Sequence, residues 1–177
     1  PYDAAKHGAH GLVADARVGL ERLSAALGDH KSGWFDPAAR VAWLARVDAH
    51  CAAPEGDGVN RLPTDAQVIG AVQRASGPQT TVLCAAGTMP GALKLLWQAS
   101  AGGYHMEYGY SCMGYELAGA LGARMALPDR DIVCFTGDGS YMMANSELAT
   151  AVMMRLPFTV VLTLSLIHIS EPTRQEA

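Results

Sequence analysis

Apolar positions along this chain fall into two regimes. From Asp15 to Leu27 they recur at helical spacing, at Val18, Leu20, Leu23 and Leu27, and the run stops at Gly28, a residue that commonly ends a helix. A second helix is predicted after Asp36, which is suited to cap it. Pro37 lies in its first turn, and it continues through "AARVAWLARVDAHCAA" to Pro54. "EGDGVNRLP" is rich in turn formers and reads as a linker and a domain boundary.

After the linker the pattern changes to helices alternating with short apolar runs. Thr64 and Gln67 have the spacing of a capping box ahead of "AQVIGAVQRA", and Gly77-Pro78 ends that helix. "TTVLCAA" is a buried-strand pattern, and "GTMPG" then turns the chain into the helix "ALKLLWQA". A glycine-containing loop, "YGYSCMG", leads into the helix "YELAGALGARMAL", and Pro128-Asp129 turns that into the strand "DIVCFT". GDGS follows, then a helix from about Tyr141 to Met154 and the strand "FTVVLT". Fully apolar strands alternating with helices imply an α/β fold: a parallel sheet flanked by helices.

Composition narrows the partners. The 177 residues are 50% hydrophobic, enough for one good core and an appendage. The net charge of -4 and the lack of a basic run argue against nucleic acid and anionic membrane. Apolar stretches are strand-sized and no charged-then-apolar leader is seen, so the expected compartment is the cytoplasm. Cys51, Cys84, Cys112 and Cys134 have neither disulfide-framework nor zinc spacing and read as buried small hydrophobes. The chain begins at Pro1 as if in mid-domain and reads as a piece of something longer.

The chemistry concentrates at Gly137-Asp138-Gly139-Ser140. In open α/β sheets ligands sit outside the carboxyl ends of the strands, and Asp138 follows "DIVCFT" directly. The glycines permit close approach of a ligand, and Ser140 with the following helix amides suits phosphate oxygens. A carboxylate would repel a bare phosphate, but a magnesium ion can bridge the two. The plainer alternative is an ordinary strand-to-helix turn, with Asp138 or Ser140 as the N-cap.

"TGDGSYMMANSELATA" before an apolar strand resembles the diphosphate-binding motif of thiamine-diphosphate enzymes. "YGYSCMGYELAGALGA" upstream resembles the loop and helix that hold the cofactor's pyrimidine in those enzymes. With "TDAQVIGAVQRA", "CAAGTMPGALKLLW" and "YHMEYGYSCMGYELAGALGARMA", the chain from Tyr2 to Thr163 is most similar to the trihydroxycyclohexane-1,2-dione hydrolases of inositol breakdown. The resemblance implies a truncated thiamine-diphosphate-binding fold over residues 61–163, preceded by the end of a central domain at 1–28 and a helical linker at 29–60.

Carried over by residue, the resemblance makes Asp138 a magnesium ligand and Gly139 and Ser140 diphosphate contacts. Met113 lies under the cofactor's folded rings, while its backbone and that of Ser111 meet the pyrimidine edge. Gly87 and Thr88 are further diphosphate-side contacts. Core filling is the commoner fate of a methionine and the competing reading for Met113. His105 and Glu107 in "GYHMEYGY" are candidate acid-base groups toward a polyhydroxylated ring, or else structural hydrogen-bonders. His7, His10, His30, His50 and His168 receive no role.

The implied reaction adds the cofactor's thiazolium carbon to a carbonyl of the cyclic dione, breaks the adjacent ring bond and releases a deoxyglucuronic acid with water. In such enzymes the glutamate that activates the cofactor comes from the pyrimidine-binding domain of a partner subunit in a homo-oligomer. No such domain lies in these residues, so the expectation is that this chain alone is inactive. The family's next metal ligand, an asparagine, is due near residues 164–166, which here are Leu164, Ser165 and Leu166. "SLIHISEPTR" resembles the translated read-through of a sequencing-library adapter, and 164–177 reads as a non-native, loosely packed tail, with a divergent polar tail as the alternative. Two other functions stay open: an acetolactate-synthase-like carboligase on the same scaffold, and a non-catalytic nucleotide-binding module, against which the lack of GxGxxG counts.

Overall fold

The computed structural model describes residues 3–33, 36–53, 62–85, 87 and 89–164. Thr88, the predicted linker over most of its length, and the tail from Ser165 onward lie outside the described residues. The chain divides into two compact units, Pro1–Ala42 and Trp43–Ala177.

In the first unit, α1 spans Ala16–Leu27, capped by the Asp15 side chain, which accepts from the Val18 amide at 3.1 Å, and closed at Gly28. Its predicted apolar stripe is exposed along its length. Helix α2 spans Pro37–Cys51, and Asp36 accepts from the Ala38 amide at 2.9 Å, as its sequence position anticipates. The unit boundary falls within α2, whose last turn is tied to α3 (Asp65–Ala75). The Arg74 guanidinium donates to the Cys51 carbonyl at 2.8 Å, and a Cβ on Gly70 would overlap that carbonyl. Only glycine at 70 lets the two helices approach so closely. The capping box of α3 forms as read, with Thr64 and Gln67 each bonding the other's backbone amide.

The second unit is built on a four-stranded parallel sheet in the order β2-β1-β3-β4: β1 Thr80–Cys84, β2 Tyr104–Met106, β3 Asp131–Gly137 and β4 Thr159–Thr163. Alternate side chains feed two cores. Val82, Cys84, Val133 and Phe135 pack with Ile69 of α3 and with Met89 and Leu93 of α4 (Met89–Leu96) on one face. Ile132 and Cys134 pack with Leu117 and Ala120 of α5 (Tyr115–Ala126) on the other. Tyr141 and Ala144 of α6 (Asp138–Ala144) and Leu148 of α7 (Ser146–Met154) close that second core. The central strands β1 and β3 are therefore covered on both sides, which is why they read as unbroken apolar runs, whereas β2 and β4 at the two edges are only partly buried.

The structure departs from the sequence reading in four places. Strand β2 falls between the predicted helix "ALKLLWQA" and the loop "YGYSCMG", where the sequence predicts no element; three residues cannot show a period, and it exists because β1 gives it a partner, Val82 opposite Tyr104 and Cys84 opposite Met106. Helix α4 starts at Met89 rather than Ala92, since Pro90 is well suited to a helix's first turn. The single helix predicted from Tyr141 begins at Asp138 and is interrupted at Asn145, between α6 and α7. Cys51, Cys84 and Cys134 are buried as expected, but Cys112 is exposed because it sits in the loop between β2 and α5.

Candidate functional site

A doubly wound sheet leaves a crevice where successive connections depart in opposite directions. Here β1 leads through α4 to β2 on one side, and the chain then crosses back through α5 to β3 on the other side of β1. The crevice thus opens between the carboxyl ends of β1 and β3. Gly87 follows β1 and Asp138 follows β3, so residues more than fifty positions apart flank one opening. The loop leaving β2, residues 107–114, lies along the same carboxyl edge.

At β3 the backbone passes from strand to helix without an intervening turn. Gly137 is the N-cap, which has no side chain to offer, so neither Asp138 nor Ser140 is the cap that the plainer reading supposed. Asp138 is the first helical residue, and its Oδ1 accepts from the Gly139 amide at 3.0 Å. Ser140 is only 4% exposed. Unpaired amides in a helix's first turn and its positive dipole end favour oxygen-rich anions, and a carboxylate beside them can share a hard cation with such a group. Among the described residues no cluster of three or more His, Cys, Asp or Glu could hold a metal alone. A cation at Asp138 would therefore take further oxygens from its ligand, from water or from the backbone. Gly137 pairs with Thr163, so the residue next in β4's line beside Asp138 is Leu164, whose side chain has no oxygen.

The connections leaving β1 and β2, with β2 itself, carry the other residues singled out in the sequence. Gly87 has φ 93° with open space around its Cα, and Ser111 has φ 52°, a left-handed conformation uncommon outside glycine. Met113 is 45% exposed, so it does not fill a core in this chain; it stands on the loop between Cys112 and Gly114. His105, on β2, bonds the Tyr115 hydroxyl through Nε2 at 2.7 Å, and the two rings stack with centroids 5.9 Å apart. Gly119 makes room for this, since a Cβ there would strike the Tyr115 ring.

Glu107 faces inward on its own loop. Its carboxylate accepts from the amides of Cys112 at 3.1 Å and Tyr110 at 3.3 Å. The Cys112 amide foremost, with those of Tyr110 and Gly109, holds the Glu107 carboxyl below the usual carboxylate range, against a smaller opposing effect of burial. Glu107 is therefore ionised at neutral pH and organises the loop, whereas His105 keeps an exposed ring beside a hydroxyl.

Sequence reading passed over three residues here. Glu116, in the first turn of α5, is fully buried, and its Oε2 accepts from the Gly114 amide at 3.0 Å. Gly114 adopts φ 89°, and Tyr115 partners His105. The signal was in "SCMGYE": a glycine ahead of a helix, followed two residues on by a carboxylate, but only burial distinguishes that glutamate from a solvated one.

Comparison with known proteins agrees with the resemblance in the sequence. Residues 85–163 match the family described as thiamine pyrophosphate enzyme, C-terminal TPP binding domain. The chain is 34% identical over 183 residues to a 3D-(3,5/4)-trihydroxycyclohexane-1,2-dione hydrolase of Geobacillus thermodenitrificans, covering 91% of this chain and 29% of that protein. It is also 34% identical over 185 residues to the enzyme of the same name from Clostridium perfringens strain 13, with the same coverage. It is 46% identical over 84 residues to that of Bacillus subtilis, covering 47% of this chain and 13% of that protein. The chain thus spans less than a third of the length of these relatives.

Proposed function

We propose, from the premise that residues 85–163 belong to the thiamine pyrophosphate enzymes, that this chain is the diphosphate-binding part of a magnesium- and thiamine-diphosphate-dependent hydrolase. The relatives' name indicates the substrate, a trihydroxylated cyclohexane-1,2-dione, whose ring the enzyme opens hydrolytically. The observation that carries the reading is the crossover between β1 and β3. It sets Gly87 and the Asp138–Ser140 turn on either side of one crevice.

The residues present suit the group they would hold. Asp138 is a hard oxygen donor at the start of α6 and would hold magnesium, with Gly139 and Ser140 toward the diphosphate and Gly87 across the crevice; Thr88 is a further diphosphate contact by the sequence resemblance alone. Met113, exposed on its loop, is free to stand beneath the cofactor's rings, and the backbone of Ser111 and Met113 would meet the pyrimidine edge. Thiamine diphosphate, when bound, supplies a carbon nucleophile for carbonyl addition and cleavage of the neighbouring carbon–carbon bond. The chain's own residues bind, orient and exclude water. Of the two acid-base candidates, His105 is the one we assign to the substrate's hydroxyls, able to exchange a proton through the Tyr115 hydroxyl, while Glu107 keeps the loop in shape. A second copy of the protein would complete the site, and neither nucleic acid nor a membrane takes part. No helix among the described residues is long and apolar enough to cross a bilayer.

Calorimetry on the full-length enzyme containing this chain tests the metal assignment. Asp138→Ala is expected to reduce affinity for thiamine diphosphate with magnesium by about a hundredfold or more, since the magnesium bridge between the protein and the diphosphate loses its carboxylate ligand. Unchanged affinity would remove Asp138 from the site.

A further inference from the structure

A carboxylate wholly removed from water is costly unless hydrogen bonds satisfy it. Glu116 is 0% exposed, yet a leucine or methionine would fill the same space without that cost. Two features compensate the charge. It lies in the first turn of α5, where the helix dipole favours an anion, and it takes the Gly114 amide at 3.0 Å. Gly114 is the N-cap of α5 and cannot itself cap the helix, so the carboxylate two residues on holds this segment of backbone instead.

Gly114 also rests on α6. At φ 89°, a Cβ there would come within 3.2 Å of the Met143 Cβ and 3.4 Å of the Ala144 Cβ. Helix α6 is the one that begins at Asp138. The carboxylate, the end of the Ser111–Met113 loop and the far turn of the Asp138 helix therefore form one packed series. The charge also reaches the strands: after desolvation, Glu116 is the next cause raising the Cys134 thiol, and it adds to the rise that brings Cys84 to about 11.

We propose that Glu116 is a positioning residue for the cofactor, clamping Gly114 so that the Ser111–Met113 backbone is held in register with the Asp138 helix. It acts through the loop and touches no reacting atom. The assignment of that loop to the cofactor rests on the functional reading above, whereas the clamp itself does not.

Two variants separate the carboxylate's hydrogen bond from its packing: Glu116→Met keeps the bulk and removes the acceptor, and Glu116→Gln keeps an acceptor. Amide hydrogen exchange on the 177-residue chain without cofactor is the first readout. Gly114 should exchange about tenfold faster or more in Glu116→Met while the α5 interior, Leu117–Leu121, stays protected, and Glu116→Gln should remain within about threefold of the parent. Equal protection of Gly114 in the parent and in Glu116→Met overturns the clamp. If Glu116→Met fails to fold, the parent decides: a Gly114 amide exchanging as fast as an open loop overturns the clamp, and protection comparable to the first turn of α5 supports it. Calorimetry of thiamine diphosphate with magnesium on the full-length enzyme is the second readout, with about a tenfold weakening expected in Glu116→Met and recovery in Glu116→Gln. A loosened Gly114 with unchanged cofactor affinity overturns the positioning role. Failure of the unsubstituted enzyme to bind the cofactor would instead overturn the functional reading and leave the exchange result to judge the clamp.

Discussion

The loop leaving β2 and the turn leaving β3 open on the same edge of the sheet, yet they are held in different ways. Residues 107–114 have no regular structure of their own. They keep their shape because Glu107 bonds the amides of Tyr110 and Cys112 from one end and Glu116 bonds that of Gly114 from the other. The Asp138–Ser140 turn needs no such support, because it is already the first turn of α6. Glycine consequently means different things in the two places. Gly114 is demanded by the fold, through its positive φ and its contact with α6. Gly139 sits in the first turn of α6, where glycine is a poor helix former, and it is the functional reading that gives it to the diphosphate.

The sharpest test of that contrast is Gly114→Ala. A non-glycine residue in the left-handed region costs about 1–2 kcal/mol, and crowding against Met143 adds to it, so a loss of about 2–3 kcal/mol is expected in denaturant unfolding. A loss below about 0.5 kcal/mol would mean that the loop can move away from α6 without cost.

Acidification probes the other end of the loop. The Glu107 carboxyl is held below its ordinary range in the folded chain, so its contribution is present at neutral pH and is lost as pH falls through that lowered value. The amides of Cys112 and Tyr110 should then exchange several-fold faster, relative to α5, below the usual carboxylate range than above it. Glu107→Gln should flatten the dependence. A pH profile identical in the parent and in Glu107→Gln would show that another group holds the loop.

The smallest effect is expected at Gly139. Alanine there should leave stability unchanged or raise it by about 0.5 kcal/mol, through helix propensity, in thermal unfolding. Against that, the functional reading predicts weaker cofactor binding. A marked loss of stability in Gly139→Ala would return this glycine to the fold and erase the difference between the two places.

What could be read without coordinates was local. The Gly28 stop of α1, the Asp36 bond to the Ala38 amide and the Thr64–Gln67 box are bonds between residues two to four positions apart, so the necessary partners are adjacent in the sequence. The apolar runs of β1 and β3 announced a covered parallel sheet for a similar reason: burial on both faces dictates composition residue by residue. The GDGS motif and its order after "SCMG" supplied the candidate site.

Tertiary structure alone decided the rest. Strand β2 depends on β1 for its hydrogen bonds, and the early start of α6 follows from β3 running directly into it at the edge of the sheet. The exposure of Cys112 and the burial of Glu116, four residues apart, cannot be told from residue type, because both follow from where α5 begins to press on the sheet. The crevice itself belongs to no segment of the chain. It arises because the connection through α5 returns across β1, and the crossing brings together residues that share no local pattern.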